Sequence, residues 1–499
     1  MLLSFHDSHP HFIYHWGLSD TSFNSITYDS RKVEPGTAFI CVKGTRTDGH
    51  NYLSQACEKG ASIVVGTDAD RLEQGSVQYP NTTFVQVSDA QSFMSYLSIL
   101  LYDRAHEKLK TVAVTGTNGK TTVSSFVRSL LNKAKVPTGL IGTNGVWDDR
   151  IRRNFNHTTH TTPEAPDLQY IFHRFYEEGL QAVSLEATSI AIEQKRVDGV
   201  TFDVGVHTNL TPEHLDFHGS FDAYKRAKLK LFRHVKTAVV NLDDQGMSHD
   251  IINEFRGPLL TYSIKEEADI YVKNMTVTSA GTSMDLYIKK ERIPVLVPLF
   301  GEYNISNFLA SLGACLHLHV PVPLLLEGLR TITPPEGRFQ IEESLSDYKI
   351  IMDFAHSPDA LTNVITAVKS FSHRKLIVLV TGAGGGDPAQ WPNMGAAVEG
   401  QADHIVVSVD HPDRLDRRDI VTGVLSGFQD PIHPSISTAL DRAEGVHKAL
   451  SYAEEGDIVL LTGIGFVGHQ FVNGEEVPYS ETETLEQYFL SEKNQKFQT

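Results

Sequence analysis

The most constraining feature of this 499-residue chain is a junction at Thr115. A short β-prone run, Lys110-Thr-Val-Ala-Val-Thr115, leads directly into Gly116-Thr-Asn-Gly-Lys-Thr-Thr122, and a helical pattern begins at Thr121. Strand, glycine turn, helix is the setting in which backbone N–H groups and a helix N-terminus bind phosphate oxygens. Lys120 is placed to offset phosphate charge, and the Thr121 hydroxyl to ligate Mg²⁺. The expected nucleotide-binding residues are Gly116, Thr117, Asn118, Gly119, Lys120, Thr121 and Thr122. Val114 stands where the full GxxxxGK[ST] string has its first glycine, so the bare string also describes a turn capping a helix. The flanking elements favour nucleotide, and an ATP-using enzyme is the expected class.

Around this junction the pattern is α/β throughout, and three blocks separate. Residues 1–104 alternate β-type runs (Thr37–Val42, Ser62–Val65, Thr83–Val87) with helical ones (Tyr52–Lys59, Ala90–Tyr102). Residues 105–332 add strands at Ala182–Leu185, Val204–Thr208 and Ala238–Asn241, which predicts a parallel sheet with crossover helices. The Pro/Gly break Thr331–Gly337 precedes a third block, 333–499, with strands at Lys349–Asp353, Leu376–Thr381, His404–Ser408 and Ile458–Leu461. That block reads as a doubly wound, Rossmann-like sheet. A formal charge of −17 disfavours a nucleic-acid or anionic-membrane partner. No apolar run reaches the ~18–20 residues that span a bilayer. Three cysteines without a CxxC exclude a disulfide framework and fit a reducing cytoplasm.

These motifs together resemble the Mur ligase family, the ATP-dependent amide-forming enzymes of peptidoglycan synthesis. The likeness is greatest to the branch that adds the third residue to a UDP-linked muramoyl peptide. It implies a three-domain architecture with a central phosphate-loop domain. Tyr28-Asp-Ser-Arg-Lys-Val-Glu-Pro-Gly36 and Lys43-Gly-Thr-Arg-Thr-Asp-Gly-His50 resemble the segments that hold the uridine nucleotide, implicating Tyr28, Ser30 and Thr45. His160-Thr-Thr-Pro163 resembles an Asn-Thr-Thr-Pro run that contacts the substrate, implicating His160, Thr161 and Thr162, with His in place of Asn. Glu186 in Leu185-Glu-Ala-Thr-Ser189 would be a magnesium ligand, and Thr188, Gln194 and Arg196 would hold the acceptor peptide.

In Thr208-Asn-Leu-Thr-Pro-Glu-His-Leu-Asp-Phe-His218, the resemblance makes His214 an aid to the second magnesium. His214 and His218 are four apart, but without an HExxH form or a third soft ligand they do not read as a zinc pair. Lys228 matches a carbamylated lysine; an ammonium offers only donors, whereas a carbamate offers oxygens suited to Mg²⁺. Read without the resemblance, Lys225, Lys228 and Lys230 would be a solvated basic stripe. Asn304 and Asn307 would lie near the adenine, and Arg338, Asp353 and His356 would reach the nucleotide from the third domain. The implied cofactors are ATP and Mg²⁺. The implied partners are a UDP-linked muramoyl peptide and an amino acid or amine, handled by a cytoplasmic monomer. The competing expectations are a specialised amine ligase of a secondary pathway and a catalytically silent nucleotide binder.

The amine site departs from the family pattern. Where diaminopimelate-adding members carry Asp-Asn-Pro-Arg, this chain has Asp410-His-Pro-Asp413, with Arg414 displaced by one. Their Gly-Lys-Gly-His-Glu is Gly463-Ile-Gly-Phe-Val467, and their Lys-Arg-Pro is Gln390-Trp391-Pro392. Two carboxylate-binding arginines thus become Trp391 and Asp413, and an ammonium-binding glutamate becomes Val467. Trp391, Asp410, Asp413, Arg414, Gly463 and Val467 are the expected amine-site residues. Loss of an Arg–carboxylate fork is a large, directional loss, so the expected amine is not diaminopimelate.

Overall fold

The computed structural model describes residues 1–4, 9–44, 47–155, 159, 161–342, 345–384, 387–463 and 468–496. Among them the three blocks hold three separate main sheets. The first has five strands, in the order Phe12–Trp16, Thr83–Val87, Ile63–Gly66, Thr37–Ile40, Ser25–Thr27; all pair in parallel except the edge strand Phe12–Trp16. Both faces are covered, as continuous apolar runs such as Ile63-Val-Val65 require.

The second sheet has eleven strands. Lys110–Thr115 lies between Ala182–Glu186 and Phe202–His207, parallel to both. Val112, Ala113 and Val114 are buried in the middle of the sheet. Helices Lys120–Lys133 and Glu302–His317 supply side chains to one core, and Ala165–Glu177 to another. The expectation of a parallel sheet holds only for its centre. Ile270–Thr278, Gly281–Ile288 and Glu291–Val297 form an antiparallel meander on one edge, and Gly145–Trp147 and Arg152–Arg153 close the other. The meander strands are solvated along part of their length, unlike the almost wholly buried central strands.

The third sheet has six strands, with Lys349–Asp353, Ile458–Thr462, Leu376–Ala383 and His404–Asp410 adjacent and parallel. Their register sets Asp353 beside Thr462 and Ala383 beside Asp410, all at the carboxyl ends. That is the edge at which open α/β sheets bind ligands.

Candidate active site

The phosphate loop leaves the central strand at Thr115 and enters the helix Lys120–Lys133 through Gly119, whose φ is +86°. Lys120 Nζ donates to the carbonyls of Gly116 (3.0 Å) and Thr117 (2.6 Å), folded over the loop. Burial lowers its pKa, opposed by Glu213 and Glu186. Asn307 is buried against the loop: a Cβ on Gly119 would stand 2.4 Å from its Oδ1. Asn304, also buried, donates Nδ2 to the Phe300 carbonyl at 2.9 Å.

Glu186 ends the neighbouring strand and is 1% exposed. It accepts from Thr121 Oγ1 (3.0 Å), Thr143 N (2.8 Å) and Thr143 Oγ1 (3.1 Å). A Cβ on Gly142 would come within 2.1 Å of Glu186 Oε1, so the carboxylate lies directly against bare backbone. Thr143 was not singled out by the sequence; its signal was only a turn following a buried strand. Lys228, on the helix Phe221–Leu229, points at the same loop with Nζ 2.7 Å from the Gly116 carbonyl oxygen. These residues fit ATP and Mg²⁺. The loop packs at glycine distances, a helix N-terminus stands behind it, and the Thr121 hydroxyl and Glu186 carboxylate are hard oxygen donors beside a lysine.

The residues expected on the acceptor side are brought together by their own hydrogen bonds. Thr162 Oγ1 donates to the Glu186 carbonyl at 2.7 Å, and Thr161 Oγ1 is 3.0 Å from Thr143 Oγ1. Thr188 caps the helix Ser189–Glu193 by accepting from Ala191 N. Arg196 donates to the Thr162 carbonyl (2.8 Å) and Gln194 Oε1 (2.6 Å), and its Nε stands 2.9 Å from Glu164 Oε1. Glu164, which no motif flagged, thus takes part of the guanidinium expected to face a peptide. Burial raises its pKa despite Arg196. In the first domain Ser30 Oγ donates to Gln55 Oε1 at 2.7 Å, and Tyr28 packs against the apolar core. Thr45, His160 and Val467 lie outside the described residues.

The third domain meets the loop through Arg338. Its Nη2 is 3.5 Å from Thr121 Oγ1, and its guanidinium stacks 4.4 Å from the Phe354 ring. Asp353 accepts from Phe339 N and Ala355 N and orders this corner from within. His356 Nε2 lies 3.5 Å from Glu213 Oε1 on the central domain. Burial opposes ionisation of Glu213, yet His356, with Lys120 and His214, brings it down to about 2. His214 is half-exposed, with Nε2 3.8 Å from Glu213 Oε2, and burial lowers its pKa. Glu213, like Thr143 and Glu164, carries no sequence signal of its own, although it adjoins His214.

Beyond this junction opens a cavity of about 770 Å³ lined by both domains, with Glu213 and His214 from the central domain and His356, Trp391, Asp410, His411, Asp413, Arg414, Gly463 and His469 from the third. Trp391 is fixed by Nε1 donating to the Ala383 carbonyl at 3.1 Å. Asp410 is buried, accepts from Thr381 Oγ1 at 2.8 Å and stands 3.5 Å from Arg442 Nη1. Arg442, itself buried, forms a two-point pair with Glu481 at 2.6 and 3.2 Å. The trio sets two carboxylates against one guanidinium, and of the three only Asp410 lines the cavity. Asp413 has φ +48° and donates its N–H to the Phe471 carbonyl at 2.8 Å. Arg414 is exposed and lies over Gly474.

Comparison with known proteins agrees with this arrangement. Residues 22–100 match the Mur ligase family catalytic domain, 114–315 the Mur ligase middle domain, and 337–465 the Mur ligase glutamate ligase domain. The chain is 33% identical over 459 residues to the UDP-N-acetylmuramoyl-L-alanyl-D-glutamate–2,6-diaminopimelate ligase of Clostridioides difficile, covering 91% of this chain and 93% of that one. It is 34% identical over 476 residues to the ligase of the same name from Caldanaerobacter subterraneus, covering 94% and 95%. A solved structure bearing that enzyme name superposes with a TM-score of 0.66 at 27% identity, covering 94% of this chain and 95% of that one. A MurF ligase of Thermotoga maritima in complex with ADP shares the fold, with a TM-score of 0.62 at 18% identity, covering 95% and 98%. The chain belongs to the Mur ligase family of ATP- and Mg²⁺-dependent amide-bond-forming enzymes.

Proposed function

We propose that this ligase joins an amine other than diaminopimelate to the terminal carboxylate of a UDP-N-acetylmuramoyl-dipeptide-like acceptor. In this reading residues 1–104 hold the uridine nucleotide, 105–332 the ATP, and 333–499 the amine. The observation that carries it is the junction itself: Arg338 sits within 3.5 Å of the phosphate-loop Thr121, and the cavity opens directly beyond. ATP with Mg²⁺ supplies the phosphoryl group that activates the acceptor carboxylate as an acyl phosphate. Lys120 and Arg338 offset the charge that spreads during transfer. Thr121, Glu186, His214 and a carbamylated Lys228 would hold the metal. Thr161, Thr162 and Thr188 line the acceptor's approach to Glu186. The cavity seats the amine, which displaces phosphate through a tetrahedral intermediate.

Against diaminopimelate stand the indole of Trp391 and the carboxylate of Asp413 in place of two arginines. A carboxylate facing a carboxylate costs several kcal/mol relative to a fork. The opposite reading, that diaminopimelate is the amine, is favoured by the names of the relatives and by Arg414 at the cavity rim. Phosphate release with ATP, UDP-muramoyl dipeptide and a panel of amino acids decides between them. Preferential use of diaminopimelate overturns the proposal. The cytoplasm is the proposed location, supported by three free cysteines, two of them buried. Among the described residues no helix is long and apolar enough to cross a membrane.

A further inference from the structure

We infer that His207 and Asp244 form a buried positioning pair for the phosphate loop, acting through the segment 208–211. This rests on reading residues 116–122 as the nucleotide phosphate site. Neither residue belongs to that loop, and neither faces the cavity.

His207 closes the strand Phe202–His207 and is fully buried, with Nε2 2.8 Å from Asp244 Oδ2. Asp244 also accepts from Leu210 N (2.9 Å) and Met247 N (3.0 Å). Asn241, ending the next strand, donates Nδ2 to the Thr208 carbonyl at 2.7 Å. Tyr262, one strand further, donates its hydroxyl to the His207 carbonyl at 3.1 Å. Segment 208–211 is thereby fixed from below by the ends of successive strands.

Its upper side is bonded to the loop at several points. Thr208 Oγ1 donates to the Asn118 carbonyl at 2.6 Å, and Asn209 Oδ1 accepts from Asn118 N at 2.9 Å. Thr117 N donates to the Asn209 carbonyl at 2.8 Å, and Thr211 N to Thr117 Oγ1 at 3.0 Å. A Cβ on Gly116 would stand 1.8 Å from Thr208 Oγ1, so a shift of this shelf is a shift of the loop. A buried polar pair is seldom the most stable filling of a core. What it supplies is direction: the Asp244 carboxylate holds the Leu210 N–H while His207 holds the carboxylate. Phosphoryl transfer needs that exactness, since small misplacements far from the chemistry are costly.

The test is calorimetric titration of the full-length protein with MgADP, and with the UDP-muramoyl dipeptide as a second ligand. His207→Phe keeps the volume and removes the donor; it is expected to weaken MgADP binding about tenfold. His207→Gln restores an N–H donor and is expected to stay within about threefold of wild type. Dipeptide affinity is expected to be unchanged in both. Wild-type MgADP affinity in His207→Phe overturns the inference, and so does a loss in His207→Gln as large as in His207→Phe. Should His207→Phe fail to fold, Asp244→Asn replaces it, and wild-type affinity there overturns the inference equally. Lys120→Ala separates the two levels: if it too binds MgADP as wild type does, the phosphate-loop reading itself fails.

Discussion

The Nζ of Lys228 lies 2.7 Å from the carbonyl oxygen of Gly116, at the start of the phosphate loop, with only 1% of the residue exposed. Burial, and the nearby charge of Lys120, hold its pKa well below the usual lysine range. A neutral amine is the form that adds CO₂, so this position is chemically prepared for a carbamate. The basic stripe that the bare sequence allowed is therefore not what the fold builds: Lys228 points inward, while Lys225 and Lys230 pair with Asp250 and Glu193.

Lys228→Ala is accordingly expected to lower ligation by roughly a hundredfold or more, the scale of a lost ligand in metal-assisted phosphoryl transfer. Partial recovery with small carboxylates should accompany it. Phosphate release within a few-fold of wild type would remove the carbamate from the mechanism.

Glu213 and His356 join the central and third domains across 3.5 Å, and their shifts set a pH window. His356 is raised above 6.5, because Glu213 outweighs burial. Its contribution is whole below that value and fades as pH rises through the raised one. Glu213 is lowered from 4.5 to about 2, so its contribution is whole above 4.5 and fades as pH falls. The contact between the two domains is thus favoured between about 4.5 and 6.5, modestly, because His356 is half-exposed and screened by salt. Small-angle scattering with bound nucleotide should show expansion of the wild type between pH 6 and 9 and a flatter profile for His356→Gln. A wild-type profile that does not change with pH counts against the pair.

Arg442 is 1% exposed and faces two carboxylates, Glu481 and Asp410. Removing one partner from such a set strands buried charge, so Arg442→Ala should destabilise the third domain by about 3–5 kcal/mol. Chemical denaturation would measure it, and a loss under about 1 kcal/mol would mean that water reaches the site.

The amine preference should be transferable. Trp391→Arg with Asp413→Arg restores guanidinium groups at both altered positions, and is expected to raise kcat/KM for diaminopimelate by about tenfold or more. The Trp391 ring packs against Gly423 and Gly382, so the single change also opens space there. An unchanged or lower value for the double variant would place the carboxylate elsewhere.

Local pattern was enough to read the strand Lys110–Thr115 and its glycine turn, because both are defined by neighbours in sequence, whereas Glu186 stood out only through the likeness to a known family. The parallel core strands were visible as unbroken apolar runs. The meander Ile270–Val297 was not, since exposed residues interrupt its strands and Pro294 argues against a ladder position in its one apolar run, Ile293–Val297. Partnerships between distant residues were invisible for a different reason. Glu213 finds His356, Glu164 finds Arg196, and Arg442 finds Glu481 only once the sheets are assembled. A glutamate beside a proline, or an arginine in an amphipathic helix, gives no local sign of burial.

The cavity takes its walls from two bodies joined by the Thr331–Gly337 segment. Its width is therefore an angle as much as a list of side chains. A change in those seven linking residues, none of which lines the cavity, would alter its shape while leaving every cavity side chain in place. The setting of the two bodies is thus as much a part of the cavity as the residues that line it.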